Sequence, residues 1–115
     1  IGKDAIVENS SVSEGCEIDG LVDYSVVSPN VTIEKDAEVK YSVIMPGATI
    51  KSGAKVYYSI IAEDAVIESG AQVGAIPEDL ENPEDWGVAV IGSGATITSG
   101  KKIAPKEMIA SGEEV

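Results

Sequence analysis

The sequence predicts an all-β chain wound as a parallel solenoid, triangular in cross-section and about six coils long, because its side-chain pattern repeats at a fixed period. Three observations carry this. Aliphatic residues recur at Val22, Val27, Ile33, Val39, Ile44, Ile50, Val56, Ile61, Ile67 and Val73, in steps of 5, 6 and 6 taken three times over. Such steps fit neither the 3.6-residue helical period nor a long alternating strand. Two residues before each aliphatic stands another inward position, as a short strand requires, and from Ala5 to Ala95 it holds only small residues, among them Ser25, Ala37, Ser42, Ala54, Ser59 and Ala71. Three residues before the next aliphatic in each six-residue step stands Gly, Asp or Asn, as at Asn30, Asp36, Gly47, Gly53 and Asp64. These types tolerate the left-handed backbone of a sharp corner.

Each coil then reads as three short strands joined by corners. The first coil runs through Val7, Val12 and Ile18 and closes early, with a step of 4 to Val22. The next three keep strict 17-residue spacing, in which "VDYSVV" at 22–27 returns as "VKYSVI" at 39–44 and as "VYYSII" at 56–61. Residues 1–74 are therefore regular coils, residues 75–87 an acidic loop with the only Trp, and residues 88–115 the final coils and a C-terminal cap, all within one domain, 1–115. In the loop "AIPEDLENPEDW", Trp86 either packs back on the prism or serves a contact loop, since aromatics favour burial and long loops are often functional. The regular prism is expected to end near Ile103, with the last coil loosened or serving as a polar cap. Lys101 and Glu107 fall on inward positions, and burying either charge unpaired would cost several kcal/mol.

Composition excludes several function classes. Twenty acidic residues against 8 Lys and no Arg leave a net charge of −12, which repels nucleic-acid phosphates and offers no guanidinium fork. There is no His and only one cysteine, Cys16. The chain thus holds no Ser-His-Asp or Cys-His arrangement and no zinc spacing, and neither a catalytic nor a metal-ligating residue is assigned. Cys16 takes a small inward position and is expected to pack in the core. With no apolar run long enough to span a bilayer and no internal disulfide, the expected setting is soluble, reducing and cytoplasmic, without nucleic-acid or membrane partners.

Taken together, these patterns resemble the hexapeptide-repeat, left-handed parallel β-helix, over residues 1–74 and again over 88–109. The left hand comes from the resemblance, since the general crossover rule favours the right. Within that class, "KYSVIMPGATIKSGAKVYYSIIAEDAVIESGAQVG" at 40–74 resembles the C-terminal β-helix domain of bacterial ADP-glucose pyrophosphorylase, glucose-1-phosphate adenylyltransferase. Ser42 to Gly47 match its Ser-Val-Ile-Met-Pro-Gly stretch, and "GCEIDG" at 15–20 and "VAVIGSGATITSG" at 88–100 extend the similarity. The resemblance implies a parent enzyme that makes ADP-glucose and pyrophosphate from ATP and glucose 1-phosphate for glycogen biosynthesis. Its catalysis, with Mg2+ and ATP, belongs to an N-terminal nucleotidyltransferase domain that this chain lacks. The role implied here is non-catalytic: assembly of a homo- or hetero-oligomer, a tetramer in the parent, contact with the catalytic domain, and allosteric response to sugar phosphates. Two alternatives remain open, the β-helix of a hexapeptide acyltransferase whose catalytic His lies outside this segment, and a purely structural scaffold.

Two groups of residues are candidates for these roles. Lys101, Lys102 and Lys106 form the densest basic cluster in an acidic chain, placed to hold an anionic effector or simply to cap the end. The second group follows from the alternation. With Ser25, Ser42 and Ser59 inward, Val26, Val43 and Ile60 must point outward, while Tyr24, Tyr41 and Tyr58 stack along the adjacent corner. Stacked tyrosines alone would explain a local ladder. The aliphatic row beside them predicts a face that packs against a partner.

Overall fold

A computed structural model describes residues 2–115. Strands of two or three residues stack in parallel into three sheets, which form the faces of a triangular prism. The first face holds Ile6–Glu8, Leu21–Asp23, Glu38–Lys40, Lys55–Tyr57, Gln72–Val73 and Lys102–Ile103. The second holds Ser11–Val12, Val26–Val27, Val43–Ile44, Ser59–Ile61, Ala89–Ile91 and Met108–Ile109. The third holds Glu17–Ile18, Thr32–Ile33, Thr49–Ile50, Val66–Ile67 and Thr96–Ile97. Six-stranded first and second faces make this an all-β helix of about six coils, as the periodicity predicts.

Register follows the sequence period. Val22 pairs with Val39, Val39 with Val56, and Val56 with Val73, so equivalent aliphatics lie directly above one another. Their columns fill the interior: Ile18, Val22, Val27, Ile33, Val39, Ile44, Ile50, Val56, Ile61, Ile67, Ile91 and Ile97 are fully buried. Ala37, Ala48, Ala54, Ala65, Ala71, Ala89 and Ala95 are buried beside them. Val31 beside Ile33 apart, these inward positions hold Ala, Ser, Gly or Cys in the wound coils up to Ile97, because three strands converge on one axis with little room.

The corners explain the 5, 6, 6 rhythm. A six-residue step leaves two residues to turn the corner, and the second takes positive φ: 63° at Asn30, 65° at Asp36 and 58° at Asp64. The five-residue step, from first face to second, leaves one fewer residue to make the bend. That residue is Tyr24, Tyr41 or Tyr58, at φ 47°, 53° and 49°. Asn9 takes the same place in the first coil at φ 50°.

At the end of the prism the structure corrects one part of the sequence expectation, that the regular coils end near Ile103, and shows the polar cap. The winding does not stop at Ile103. Met108–Ile109 pairs with Ala89–Ile91 on the second face, and Glu114 bridges Thr96 on the third. Lys101 and Glu107 do occupy the repeat's inward positions, yet both are exposed, because no further coil covers them and their charges keep their water. The Glu107 carboxylate accepts the Ala104 N–H at 3.1 Å, and Thr98 Oγ1 donates to the Val115 carbonyl at 2.7 Å. The last coil is thus a wound cap with polar ends and Val115 packed on the core.

Candidate functional site

The repeated Tyr-Ser pair builds the corner between the first and second faces. A left-handed residue there turns the following N–H along the prism axis, and the serine one coil away meets it. Ser25 N–H donates to Ser10 Oγ at 3.0 Å, Ser42 N–H to Ser25 Oγ at 3.1 Å and Ser59 N–H to Ser42 Oγ at 3.1 Å. Each of these hydroxyls in turn donates to a carbonyl of its own coil, as Ser42 Oγ does to Lys40 at 2.9 Å and Ser59 Oγ to Tyr57 at 2.8 Å. The serines are small because they point inward, and they are hydroxylated because the corner leaves a donor to satisfy.

Outside the serines, the tyrosine rings stack. Tyr24 and Tyr41 lie 5.1 Å apart and 2° from parallel, and Tyr41 and Tyr58 4.6 Å apart and 8° from parallel. The acidic loop leaves the prism where the next rung would stand, with short 3-10 turns at Pro77–Asp79 and Pro83–Asp85. Trp86 closes the ladder. Its ring meets Tyr58 edge-on at 5.1 Å, and its indole N–H donates to the Ala75 carbonyl at 3.2 Å. Of the two readings of the loop, packing back on the prism is therefore the one observed for Trp86. Gly74 permits the loop's departure: it lies at φ 75°, and a Cβ there would stand 2.1 Å from the Tyr57 carbonyl oxygen.

Beside the ladder, the outward row of the second face runs through Val26, Val43, Ile60, Val90 and Met108. Val26 is 50% exposed, Val43 39%, Ile60 36% and Met108 78%, while Tyr24 and Tyr41 keep 54% and 44%. Val88, also exposed, takes the tyrosine position of the fifth coil. In the second to fifth coils its strands and outward row carry no charge, whereas Glu63 and Asp64 turn the far corner of the fourth coil and Lys106 and Glu107 precede Met108 in the last. The outward rows elsewhere are mixed, with Glu38, Lys55, Gln72 and Lys102 on the first face and Glu17, Thr32, Thr49, Val66 and Thr96 on the third. Val88, Val90 and Met108 were missed in the sequence reading. Continuing the alternation past the loop, to Ala89-Val90-Ile91, would have found Val90.

The sequence-predicted Tyr24, Val26, Tyr41, Val43, Tyr58 and Ile60 are thus brought together on one surface. The three lysines are distributed differently. Lys101 follows the corner into the first face, Lys102 points outward from that face, and Lys106 lies at the next corner with φ 74°. The Lys106 ammonium donates to the Glu84 carbonyl, tying the acidic loop to the last coil. Cys16 is half-buried against the core, its thiol donating to the Ser28 carbonyl at 3.1 Å.

Tyr57 is a residue the repeat did not single out. Unlike Tyr58 it is buried, and its hydroxyl donates to Glu38 Oε1 at 3.1 Å. Burial, then the hydrogen bond to Glu38 and the nearby charges of Glu38 and Asp79, push the phenol up to about 12. Burial, then Tyr41 and Glu78, also raise the Tyr58 phenol. A pocket of about 350 Å³ opens where the short first coil cuts its corner over Gly20, lined by Asp4, Asp19, Leu21, Lys35, Asp36 and Glu38. Among the described residues, no group of three or more His, Cys, Asp or Glu is arranged to hold a metal ion. No helix among them is long and apolar enough to cross a membrane.

Residues 2–88 match the family described as "GlmU-like, C-terminal hexapeptide". The chain belongs to this family. The stacked faces, the positive-φ corners and the small inward column are what a hexapeptide β-helix of this family requires, so the broader part of the sequence resemblance stands. No match was found among curated proteins. Among solved structures, the chain is similar to a Bacillus cereus protein described as a "putative acetyltransferase", at 18% identity and a TM-score of 0.39. That alignment covers 93% of this chain and 69% of the other.

Proposed function

We propose that this hexapeptide domain is the non-catalytic assembly and regulatory domain of a sugar-nucleotide-forming transferase of the glucose-1-phosphate adenylyltransferase type. The observation that carries the assembly role is the apolar outward row of the second face, Val26, Val43, Ile60 and Val90 beside the tyrosines, in a chain with 20 acidic and 8 basic residues. Interface cores are depleted of charge and enriched in aromatics, and this row with its tyrosines combines both features. The Ser42 to Gly47 stretch lies on that same face and supports the choice of parent, whose ATP and Mg2+ would be handled by a separate domain. Regulation by a sugar phosphate would rest first on Lys101 and Lys102, because the Lys106 ammonium already serves the loop. The competing acyltransferase reading needs a His from elsewhere, as this chain has none to act as general base.

The test is an assay of the full-length protein with ATP and glucose 1-phosphate, and separately with acyl-CoA donors, together with its native mass. ADP-glucose formation, with native mass reduced by Val43→Glu plus Ile60→Glu, supports the reading. Acyl transfer without nucleotidyl transfer overturns it. The effector role fails if charge reversal at Lys101, Lys102 and Lys106 leaves sugar-phosphate activation unchanged.

A further inference from the structure

We infer that the groove over Gly20, beside the first face, binds a small aliphatic diamine, its stem laid on Ile6 and Leu21 and its two ammonium groups held by carboxylates at either end. The groove lies on a different face from the tyrosine row, so this site is independent of the proposed assembly role.

The groove is a consequence of the short step from Ile18 to Val22. Asp19 alone turns that corner, where Lys35 and Asp36 share the corner of the next coil, so the chain is drawn in between its neighbours. Gly20 makes the short step possible: a Cβ there would stand 2.5 Å from the Ala37 carbonyl oxygen and 2.7 Å from that of Glu34. The recess has a volume of about 350 Å³, which suits a small molecule. Two columns of side chains border it along the prism axis. The corner column is Asp4, Asp19 and Asp36, and the face column is Ile6, Leu21 and Glu38, in register one coil apart.

The face column identifies the stem. Further along the same outward row stand Lys55, Gln72 and Lys102, so Ile6 and Leu21 form an aliphatic strip at this place in an otherwise polar row. Ile6 is 49% exposed, and a hydrocarbon stem laid on it would release the water that covers it. The carboxylates identify the ends. Asp4, Asp19, Asp36 and Glu38 border the strip against one ammonium, Lys35, and among the described residues Asp4, Asp19 and Asp36 form no ion pair. The Tyr57 hydroxyl donates to Glu38 Oε1 at 3.1 Å, which fixes that carboxylate and leaves Oε2 to accept from a ligand. Such a border repels anions, and a metal ion would leave the aliphatic strip uncovered.

Coil spacing then sets the length of the ligand. Asp4 stands two coils from Asp36 and Glu38, roughly 10 Å along the axis. A stem of four or five methylenes holds two ammonium groups roughly 6–8 Å apart. One ammonium therefore reaches Asp4 while the other sits between Asp36 and Glu38, each within a charge-assisted hydrogen bond, and Asp19 stands between the two ends. A ligand with a single ammonium satisfies one end of the groove and leaves the other unpaired.

The experiment is a titration of the 115-residue chain with 1,5-diaminopentane, followed by amide nitrogen–proton correlation spectra at about 50 mM sodium chloride. The expected result is saturable shifts at the Gly20, Leu21 and Ala37 amides, weakened when salt is raised to about 500 mM. Ethylenediamine lacks three of the methylenes, each giving about fourfold in affinity when buried, and should bind at least about tenfold more weakly. Pentylamine, which keeps the stem and loses one charge, should bind about threefold more weakly. Asp36→Asn should weaken 1,5-diaminopentane by about threefold with the fold intact, because Asn30 already holds φ 63° at a similar corner. Asp64→Asn removes the same charge from a corner at φ 58° outside the groove and should leave the affinity unchanged. Leu21→Ser should weaken the long diamine and spare ethylenediamine. Shifts that do not saturate, equal loss in Asp36→Asn and Asp64→Asn, or the same shifts from magnesium chloride at equal ionic strength would show a counterion effect and overturn the inference. Pentylamine or an acetylated lysine amide binding as tightly as 1,5-diaminopentane would overturn the two-ended ligand.

Discussion

Tyr41→Asn tests whether the tyrosine ladder contributes to stability or merely decorates a corner. Asn is the replacement because Asn9 already occupies the equivalent corner of the first coil at φ 50°, so the backbone need not change. Tyr41 is stacked on both sides, against Tyr24 at 5.1 Å and Tyr58 at 4.6 Å. Each stacked pair contributes about 0.5–1.5 kcal/mol beyond area burial. Losing two pairs, plus the half of the ring that is buried, should cost about 3–4 kcal/mol before any relief. Against this, a bulky L-residue in left-handed backbone is strained by about 1–2 kcal/mol, and Asn relieves most of that. The net expectation for Tyr41→Asn is a loss of about 2–3 kcal/mol. Tyr24→Asn, which breaks one pair and gains the same relief, should lose about 1–2 kcal/mol. Their difference is the more secure quantity, since the strain relief cancels, and it should be about 1 kcal/mol, the contribution of one stack. Urea unfolding followed by far-ultraviolet circular dichroism, with unchanged m-values, measures both. If the two substitutions agree to within about 0.3 kcal/mol, the rings do not stabilise one another and the argument from stacking is wrong.

Ser42→Ala removes the acceptor of the buried Ser59 N–H and the donor to the Lys40 carbonyl, and should cost about 1–3 kcal/mol in the same unfolding measurement. Exposed Ser11→Ala, on the outward row of the same face, should change little. The Tyr57 phenol is held up to about 12 by burial and Glu38, against an ordinary value near 10, so the unfolded chain releases this proton first. Its contribution is therefore fully present below about pH 10 and lost as pH rises from about 10 to 12, and Tyr57→Phe should flatten the fall in melting temperature across that window. Lys106→Ala frees the Glu84 carbonyl and should speed proteolytic cleavage within residues 75–87, with little change in the unfolding midpoint; an unchanged cleavage rate would show that the tie is not needed. The 115-residue chain by itself should make no ADP-glucose and transfer no acyl group, which direct assay of the purified chain decides.

The solenoid was legible from the sequence because in a coil of fixed period the role of a residue depends on its position within the repeat. Ile33, Ala48 and Asp36 announce column, wall and corner by type alone, and each takes that place in the fold. The outward direction of Val26, Val43 and Ile60 followed from the same alternation, so the exposed apolar row was visible in outline. What only the tertiary structure decided lies one coil away or outside the repeat. Ser42 reads as small, but its hydroxyl matters because the Ser59 N–H arrives there from 17 residues on. Tyr57 and Tyr58 are adjacent in sequence, yet one is buried against Glu38 and the other stacks on Tyr41, a division made by the left-handed bend between them. Lys101 and Glu107 looked unburiable by their type, and the coil wound on regardless, since the last turn has nothing above it and an inward position there still meets water. Trp86 and Lys106 found Tyr58 and Glu84 through a loop with no period, so no repeat could foretell those contacts. Local pattern determines a periodic fold because every coil presents the same packing problem; it cannot specify contacts whose two partners obey different patterns.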